Sequence, residues 1–232
     1  MAQLRSILLA FAGFVLFFTC ALVNAWDGHI IGSGDGPHVF AVIWQTPKTL
    51  WLDAQFAGFP LFADPQVLMW YPPARLLQFV GLPYDAFVIL GYALAGTSAF
   101  TLALVLTNSV RAAWLAGFVL SCSGITVIHF EHPTMVHGIA WVPFAITAFV
   151  LYERTRRLAW VAAAAICLGS SVLAGAPQVA LYGSLLVGAF CLAQAVSQRS
   201  ARPLVAGAVA AALGVGLSAI QMLPTAELSK MS

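Results

Sequence analysis

Charged side chains are scarce in this sequence of 232 residues, at 8% of the total, against about 25% in a typical soluble domain. Hydrophobic residues reach 61%. A soluble globular protein could not cover its surface with so few charges, and a disordered chain requires low hydrophobicity. The composition therefore predicts an integral membrane protein built from helices.

Several signatures of other function classes are also missing. The net charge of +2, with no Lys/Arg cluster outside short loops, gives no basis for nucleic-acid binding. Glycine-rich phosphate loops, serine-nucleophile elbows and H-E-x-x-H motifs are absent from the sequence. The cysteines lie in apolar runs without zinc-site or C-x-x-C spacing, which favours a packing role: Cys20, Cys122, Cys167 and Cys191.

Apolar runs dominate what remains. A bilayer span takes roughly 17–25 apolar residues, and seven runs reach or approach that length: 6–25, 84–106, 112–128, 134–151, 159–174, 179–195 and 203–220. The fifth and sixth are short and are separated only by residues 175–178. The sequence therefore predicts an all-α transmembrane bundle of about seven spans, six of them within residues 84–220.

Basic residues orient this predicted bundle, because cytoplasmic loops carry an excess of Lys and Arg. A cytoplasmic N-terminus places seven arginines inside: Arg5, Arg111, Arg154, Arg156, Arg157, Arg199 and Arg202. Lys48, Arg75 and Lys230 then fall outside. Every histidine and every acid except Glu153 also falls outside or at an outer helix end, so acid/base chemistry is expected on the outer face.

Residues 1–25 are interpreted as an uncleaved signal-anchor span. Their apolar run is longer than the roughly 7–15 residues of a usual signal-peptide core. Residues 23–25, Val-Asn-Ala, resemble a cleavage site, so a cleaved signal peptide is the alternative.

Residues 26–83 form a long first outer loop with helix and turn signals. Asp35 followed by Gly36 and Pro37 predicts a helix start, and that helix would end before Pro47. Residues 46–58 predict a second short helix at the membrane interface. The prolines after Gly58 favour an ordered, non-helical loop.

The order of motifs along the whole chain resembles the YfhO-type bacterial membrane proteins, which are grouped with the GT-C class of membrane glycosyltransferases. The resembling motifs are Gly34-Asp35-Gly36, residues 58–66 with Tyr71-Pro72-Pro73, Ser123-Gly124 with His129, Trp141-Val142-Pro143, residues 175–178 with Tyr182, and residues 220–227. Such proteins are usually longer, so the chain is expected to be an N-terminal portion, with residues 221–232 beginning a truncated outer segment.

The resemblance implies a multi-pass protein of the bacterial inner membrane that transfers a sugar from a polyprenyl-phosphate carrier to a cell-envelope acceptor. This reaction requires a carboxylate near the outer surface and cations or a metal at the departing phosphate. The family's carboxylate position matches Asp35, with Asp27 as the second candidate. Lys48 and Arg75 are then the candidate phosphate contacts.

Other polar residues are weaker candidates. Asp64 is a candidate substrate contact, although a turn-forming role is the default for Asp in Ala-Asp-Pro-Gln. His129, Glu131 and His132 form a polar run at the end of the third span and are candidate substrate contacts. The run could alternatively hold a divalent metal or simply meet lipid head groups, so no metal is assigned.

Two other function classes stay open at this point. A transporter would place charged groups or broken helices near the membrane midplane, and the predicted spans are nearly free of charge. A non-catalytic subunit or a truncated remnant is the other alternative.

Overall fold

The computed structural model describes residues 2–22, 30–32, 34–46, 48–53 and 58–231. The regular secondary structure of these residues is helical, without a strand among them. Six of their helices are long and apolar enough to cross a membrane: Gln3–Ala21, Tyr84–Thr107, Val110–Ile128, Pro133–Thr155, Pro177–Gln198 and Arg202–Lys230. The prediction of a helical membrane bundle is confirmed at this level. The fifth predicted run forms a shorter helix, Ala159–Leu173, whose 15 residues rise only about 22 Å at ~1.5 Å per residue.

Ten α-helices occur in the described residues: α1 (Ala2–Ala21), α2 (Ala41–Gln45), α3 (Pro72–Phe79), α4 (Tyr84–Thr107), α5 (Val110–Ser121), α6 (Gly124–Ile128), α7 (Pro133–Thr155), α8 (Ala159–Leu173), α9 (Pro177–Gln198) and α10 (Arg202–Met231). A π-helical turn, Gly36–Phe40, runs directly into α2. Two 3₁₀ turns, Leu61–Ala63 and Pro65–Val67, follow in the first loop.

The long helices alternate in direction, so the bundle has two chemically different ends. At one end, short turns at 108–109, 156–158 and 199–201 connect helices among arginines; we call it the arginine end. Gln3 in α1 donates to Asn108 there (3.4 Å). The opposite end carries the described residues between 30 and 83, together with 129–132 and 174–176, and we call it the loop end. The described acids other than Glu153 lie at the loop end.

Helix α4 is the most buried of the candidate spans and packs against α1, α5 and α7. Phe14 of α1 is fully buried between Gly96 of α4 and Gly117 of α5. A Cβ at Gly96 would lie 2.8 Å from the Phe14 ring. Glycine at these positions therefore lets the three helices approach closely.

A second core joins α7, α8, α9 and α10. Here α8 crosses α10 where Gly169 meets Gly214: a Cβ at Gly169 would lie 3.1 Å from the Gly214 carbonyl oxygen. Glycine at both positions lets the two helix backbones approach closely. Gly216 is different, because its Cβ direction is open.

The first loop folds back onto the bundle. Its own small core contains Leu61, Val67 and Met69. Gln221 of α10 donates to the Phe62 carbonyl (3.2 Å), and Thr225 donates to that of Ala63 (2.7 Å). The loop is therefore docked on the last helix by polar side chains.

Local structure departs from the prediction in three places. Residues 48–53 are not helical; Leu52 instead forms an antiparallel bridge with Phe59 (2.9 and 3.0 Å). The loop's amphipathic α-helix is α3, which begins at the Pro72-Pro73 pair, since proline is favoured in a first helical turn. Helix α10 continues to Met231, beyond the predicted end at residue 220.

Candidate functional site

Asp35 lies beside His132 at the loop end. Asp35 precedes the Gly36–Phe40 turn at the N-cap position, but its side chain makes no capping hydrogen bond. Its carboxylate Oδ2 instead lies 3.2 Å from His132 Nε2, with the two side chains 58% and 29% exposed. The first-loop carboxylate is thus joined to the polar run after α6.

Glu131 completes this cluster. Gly34 has a left-handed φ of +53°, and a Cβ there would overlap Glu131 Oε2. A Cβ at Gly36 would lie 3.8 Å from the Glu131 Cα. The 34–36 turn therefore rests against Glu131, so Glu131 lies beside the turn that carries the Asp35–His132 pair. We call Asp35, Glu131 and His132 the acidic cluster.

Three further contacts hold the cluster in place. The Ile31 amide donates to Asp85 Oδ1 at the start of α4 (2.6 Å), which fixes the chain entering the 34–36 turn. The Phe40 ring packs edge-on against the His132 ring, with centroids 5.8 Å apart. On the other side, Tyr92 of α4 donates to the Thr126 carbonyl (2.9 Å) and positions α6.

An apolar groove opens beside Glu131. It has a volume of about 520 Å³, within the range of small-molecule sites. Its lining comes from the end of α1, from α4 and from α5–α6, and includes Phe17, Phe18, Tyr92, Val127, Ile128 and Glu131. A hydrocarbon chain in this groove would have its polar end at the acidic cluster.

His129 lies apart from the acidic cluster. Its ring Nδ1 is 2.6 Å from the Ile125 carbonyl, and it lines a different groove with Gln178 and Val142. Residues four apart share a helix face, so Ile125 and His129 point one way from α6 while Val127 and Glu131 point another. The structure thus divides the predicted 129–132 run between two sites.

Lys48 and Arg75 lie near each other beyond the other end of the 36–45 helix. Lys48 Nζ donates to the Ile43 carbonyl, and Arg75 donates to Gln78 Oε1 (2.9 Å). Burial, followed by the charge of Arg75, lowers the pKa of Lys48 to about 8. Eight residues of helix separate Asp35 from Ile43, or roughly 12 Å. The two cations are therefore not in the acidic cluster.

Asp64 has the turn-forming role that its sequence context allows. Its Oδ1 accepts the Gln66 amide (2.8 Å) at the start of a 3₁₀ turn. Burial raises the pKa of this carboxyl, and the Gln66 hydrogen bond opposes that rise. Among the described residues, no ion pair joins Asp64 to Lys48 or Arg75.

Two predicted features remain open. Asp27, the second catalytic candidate, lies outside the described residues, as does the predicted cleavage site at 23–25. Within the described part of the chain, no three His, Cys, Asp or Glu residues are arranged to hold a metal ion.

A buried polar network near the site had no clear sequence signal. His137 Nε2 lies 2.9 Å from the Phe87 carbonyl, Tyr71 hydroxyl lies 3.0 Å from His137 Nδ1, and Trp141 Nε1 donates to Tyr71 (2.9 Å). Because a carbonyl only accepts, Nε2 carries the proton and Nδ1 accepts from Tyr71. The network ties the first loop to α4 and α7. Only glycine fits at Gly91, where a Cβ would lie 2.8 Å from the His137 ring.

Tyr84 is a second feature that the sequence did not indicate. Its side chain is 95% buried, and its hydroxyl makes no hydrogen bond to the described residues. A Cβ at Gly36 would lie 3.7 Å from this hydroxyl. Tyr84 therefore lies directly under the turn that carries Asp35.

No protein-family model matches the chain, and no curated protein or solved structure matches it significantly.

Proposed function

We propose that the chain is a GT-C-like membrane glycosyltransferase that moves a sugar from a polyprenyl-phosphate carrier to a hydroxyl of a cell-envelope acceptor. One observation carries the proposal: the Asp35 carboxylate contacts His132, and the neighbouring Glu131 lines an apolar groove. A lipid-linked sugar requires apolar surface for its tail and a carboxylate for the attacking hydroxyl. In this proposal the loop end faces outward from a bacterial inner membrane and the N-terminus is cytoplasmic.

Asp35 is the proposed general base. The acceptor oxygen attacks the anomeric carbon, its proton passes to Asp35, and the bond from that carbon to the carrier phosphate oxygen breaks. His132 holds the Asp35 carboxylate in position through their 3.2 Å contact. Glu131 stabilises the positive charge that develops on the sugar ring. A single displacement of this kind inverts the anomeric centre.

Lys48 and Arg75 are proposed as anion contacts at a second position. Ile43, whose carbonyl Lys48 contacts, lies roughly 12 Å along the helix from Asp35, which is too far for Lys48 to reach the phosphate bonded to the transferred sugar. A phosphate of the acceptor or of a lipid head group is the better match to that distance. Asp64 and His129 take no part in the proposed proton transfer, and a metal cofactor is not assigned.

An ion-coupled transporter is less well supported. Such proteins use titratable groups inside their spans. Within the described spans, His137 has both ring nitrogens engaged in hydrogen bonds. Ser and Thr in α4, such as Thr97 and Thr101, donate to carbonyls of their own helix.

The test uses the purified chain in liposomes that contain radiolabelled polyprenyl-phosphate glucose or mannose and a bacterial envelope lipid extract. We expect donor consumption by the unmodified protein and a loss of about 10²–10⁴-fold in Asp35→Asn, the range typical of a removed general base. Asp53→Asn is the matched control, because Asp53 is an exposed acid of the same loop.

His132→Asn adds a second arm. A loss of orientation predicts a fall in kcat of roughly tenfold with little change in KM, whereas His38→Asn, an exposed histidine of the same segment, leaves kcat unchanged. Undiminished consumption in Asp35→Asn, or no consumption of either donor, overturns the proposal.

A further inference from the structure

We infer that the groove between α6, α7 and α9 is a second amphiphile site, which holds the hydrocarbon chain of a lipid with a hydroxyl-bearing, uncharged head group. The inference rests on the proposed function in one respect: there, this lipid is the sugar acceptor.

The groove has the size and surface that a lipid chain requires. Its volume is about 400 Å³. Most of its lining is aliphatic and comes from candidate membrane spans, including Leu120, Ile139, Val142, Pro143, Val179 and Leu186. Because these residues face the bilayer rather than water, the occupant is hydrocarbon.

Polar residues line the groove toward its loop end: His129, Gln178 and, one helical turn further along α9, Tyr182. His129 follows α6 and Gln178 begins α9, so both lie at the loop end. His129 Nδ1 donates its proton to the Ile125 carbonyl (2.6 Å), which leaves Nε2 for a hydrogen bond to a head group. The Gln178 amide offers both donors and an acceptor. Together they match the hydrogen bonding of hydroxyl groups.

The scarcity of charged residues in the groove favours one class of lipid head group. No Lys, Arg, Asp or Glu is among its described lining residues. An anionic phosphate head group would find no Lys or Arg there, whereas a sugar or glycerol head group needs only hydrogen-bonding partners. We therefore commit to a glycolipid-like occupant rather than an anionic phospholipid.

The position of the groove gives the site its role. The backbone amide of His132 donates to the His129 carbonyl (2.9 Å), so residues 129–132 form one tight turn. His129 lies on the groove side of this turn, while Glu131 and His132 lie on the acidic-cluster side. A donor lipid in the groove beside Glu131 and an acceptor lipid in the groove beside His129 would therefore place their head groups on opposite sides of residues 129–132.

The experiment uses glucosyl-diacylglycerol with a diazirine in its acyl chain, in liposomes with the full chain, followed by mass-spectrometric mapping of cross-links. We expect cross-links to Ile139, Val142 or Leu186, and a roughly tenfold loss of them in the groove-filling variant Ile139→Trp. Ile166→Trp, at an exposed α8 position outside this groove, is the control. His129→Leu with Gln178→Leu reduces the same cross-links.

Diazirine-labelled phosphatidylglycerol tests the head-group claim. Equal labelling by both lipids, or no labelling of the groove by the glycolipid, overturns the inference. Labelling does not require sugar transfer. Specific labelling without donor consumption therefore supports the lipid site and contradicts the proposed glycosyltransferase function. Asp35-dependent donor consumption without labelling supports that function and contradicts the lipid site.

Discussion

The Glu131 carboxylate occupies the space that a side chain at Gly34 would fill. This contact is what seats the Asp35 turn against the chain after α6, and glycine is needed for two reasons. Its φ of +53° is left-handed, and any Cβ would overlap Oε2 of Glu131.

Gly34→Ala is predicted to displace Glu131 and to reduce donor consumption by about 10²-fold, since small misplacements at a reacting centre are costly. Gly81→Ala is the control that separates the cost of a left-handed backbone from the overlap with Glu131. Gly81 also has a positive φ, +75°, but nothing lies within 4 Å of its Cβ direction. Its substitution is expected to lower stability by about 1–2 kcal/mol and to leave consumption intact. Equal effects of the two variants on consumption would contradict the role of the Glu131 contact.

Tyr71→Phe is predicted to lower the thermal unfolding temperature in detergent. The substitution leaves His137 Nδ1 and Trp141 Nε1 without their partner in a buried site, and each unsatisfied group costs about 1–3 kcal/mol. Tyr152→Phe is the control, because no hydrogen bond involves the Tyr152 hydroxyl among the described residues and its ring contact with Arg156 is retained. An unchanged unfolding temperature in Tyr71→Phe would show that the network does not stabilise the loop.

Lys48 is predicted to titrate near pH 8, because burial and the Arg75 charge both disfavour its ammonium form. The unfolded chain would bind this proton up to the ordinary lysine pKa of 10.5. Between these values the unfolded state binds more protons, so stability from this group rises with pH above 8. Its penalty is fully present below pH 8.

Reductive ¹³C-methylation followed by NMR titration measures this pKa, with Lys48→Arg assigning the signal. Arg75→Gln removes the second cause and is expected to raise the Lys48 pKa, although burial keeps it below 10.5. A Lys48 midpoint that is unmoved by Arg75→Gln would place the two cations out of electrostatic contact.

Gly214→Leu is predicted to destabilise the α8–α10 crossing. A Cβ at Gly214 already lies 3.2 Å from the Ala165 carbonyl and from Leu168, so a larger side chain forces the helices apart at a cost of about 1–3 kcal/mol. Gly216→Leu on the same helix projects into open space and gains the same helix propensity. Thermal unfolding temperatures of the two variants test this prediction. A Gly216→Leu variant as unstable as Gly214→Leu would contradict the role of Gly214 in close packing of α8 and α10.

The helical membrane character was predictable because it depends on composition and on local runs. A stretch such as 84–106 forms a helix and buries itself whatever its partners are, since an unsatisfied backbone in lipid is too costly. The helix start after Asp35 was equally local. The structure of residues 48–53 could not be predicted from local sequence, because Leu52 pairs its backbone with Phe59 rather than with the next helical turn.

The sequence by itself determined that this chain is helical with several runs long and apolar enough to cross a membrane, and it singled out Asp35 in the first loop and the His129–His132 run as candidate site residues. Only the tertiary structure decided that Asp35 meets His132 beside Glu131, that His129 faces another groove, and that Lys48 with Arg75 lies elsewhere. The reason is physical. Helix formation follows from neighbours within about four residues, whereas the meeting of the 34–36 turn with residues 131–132 depends on how α1, α4 and α6 pack.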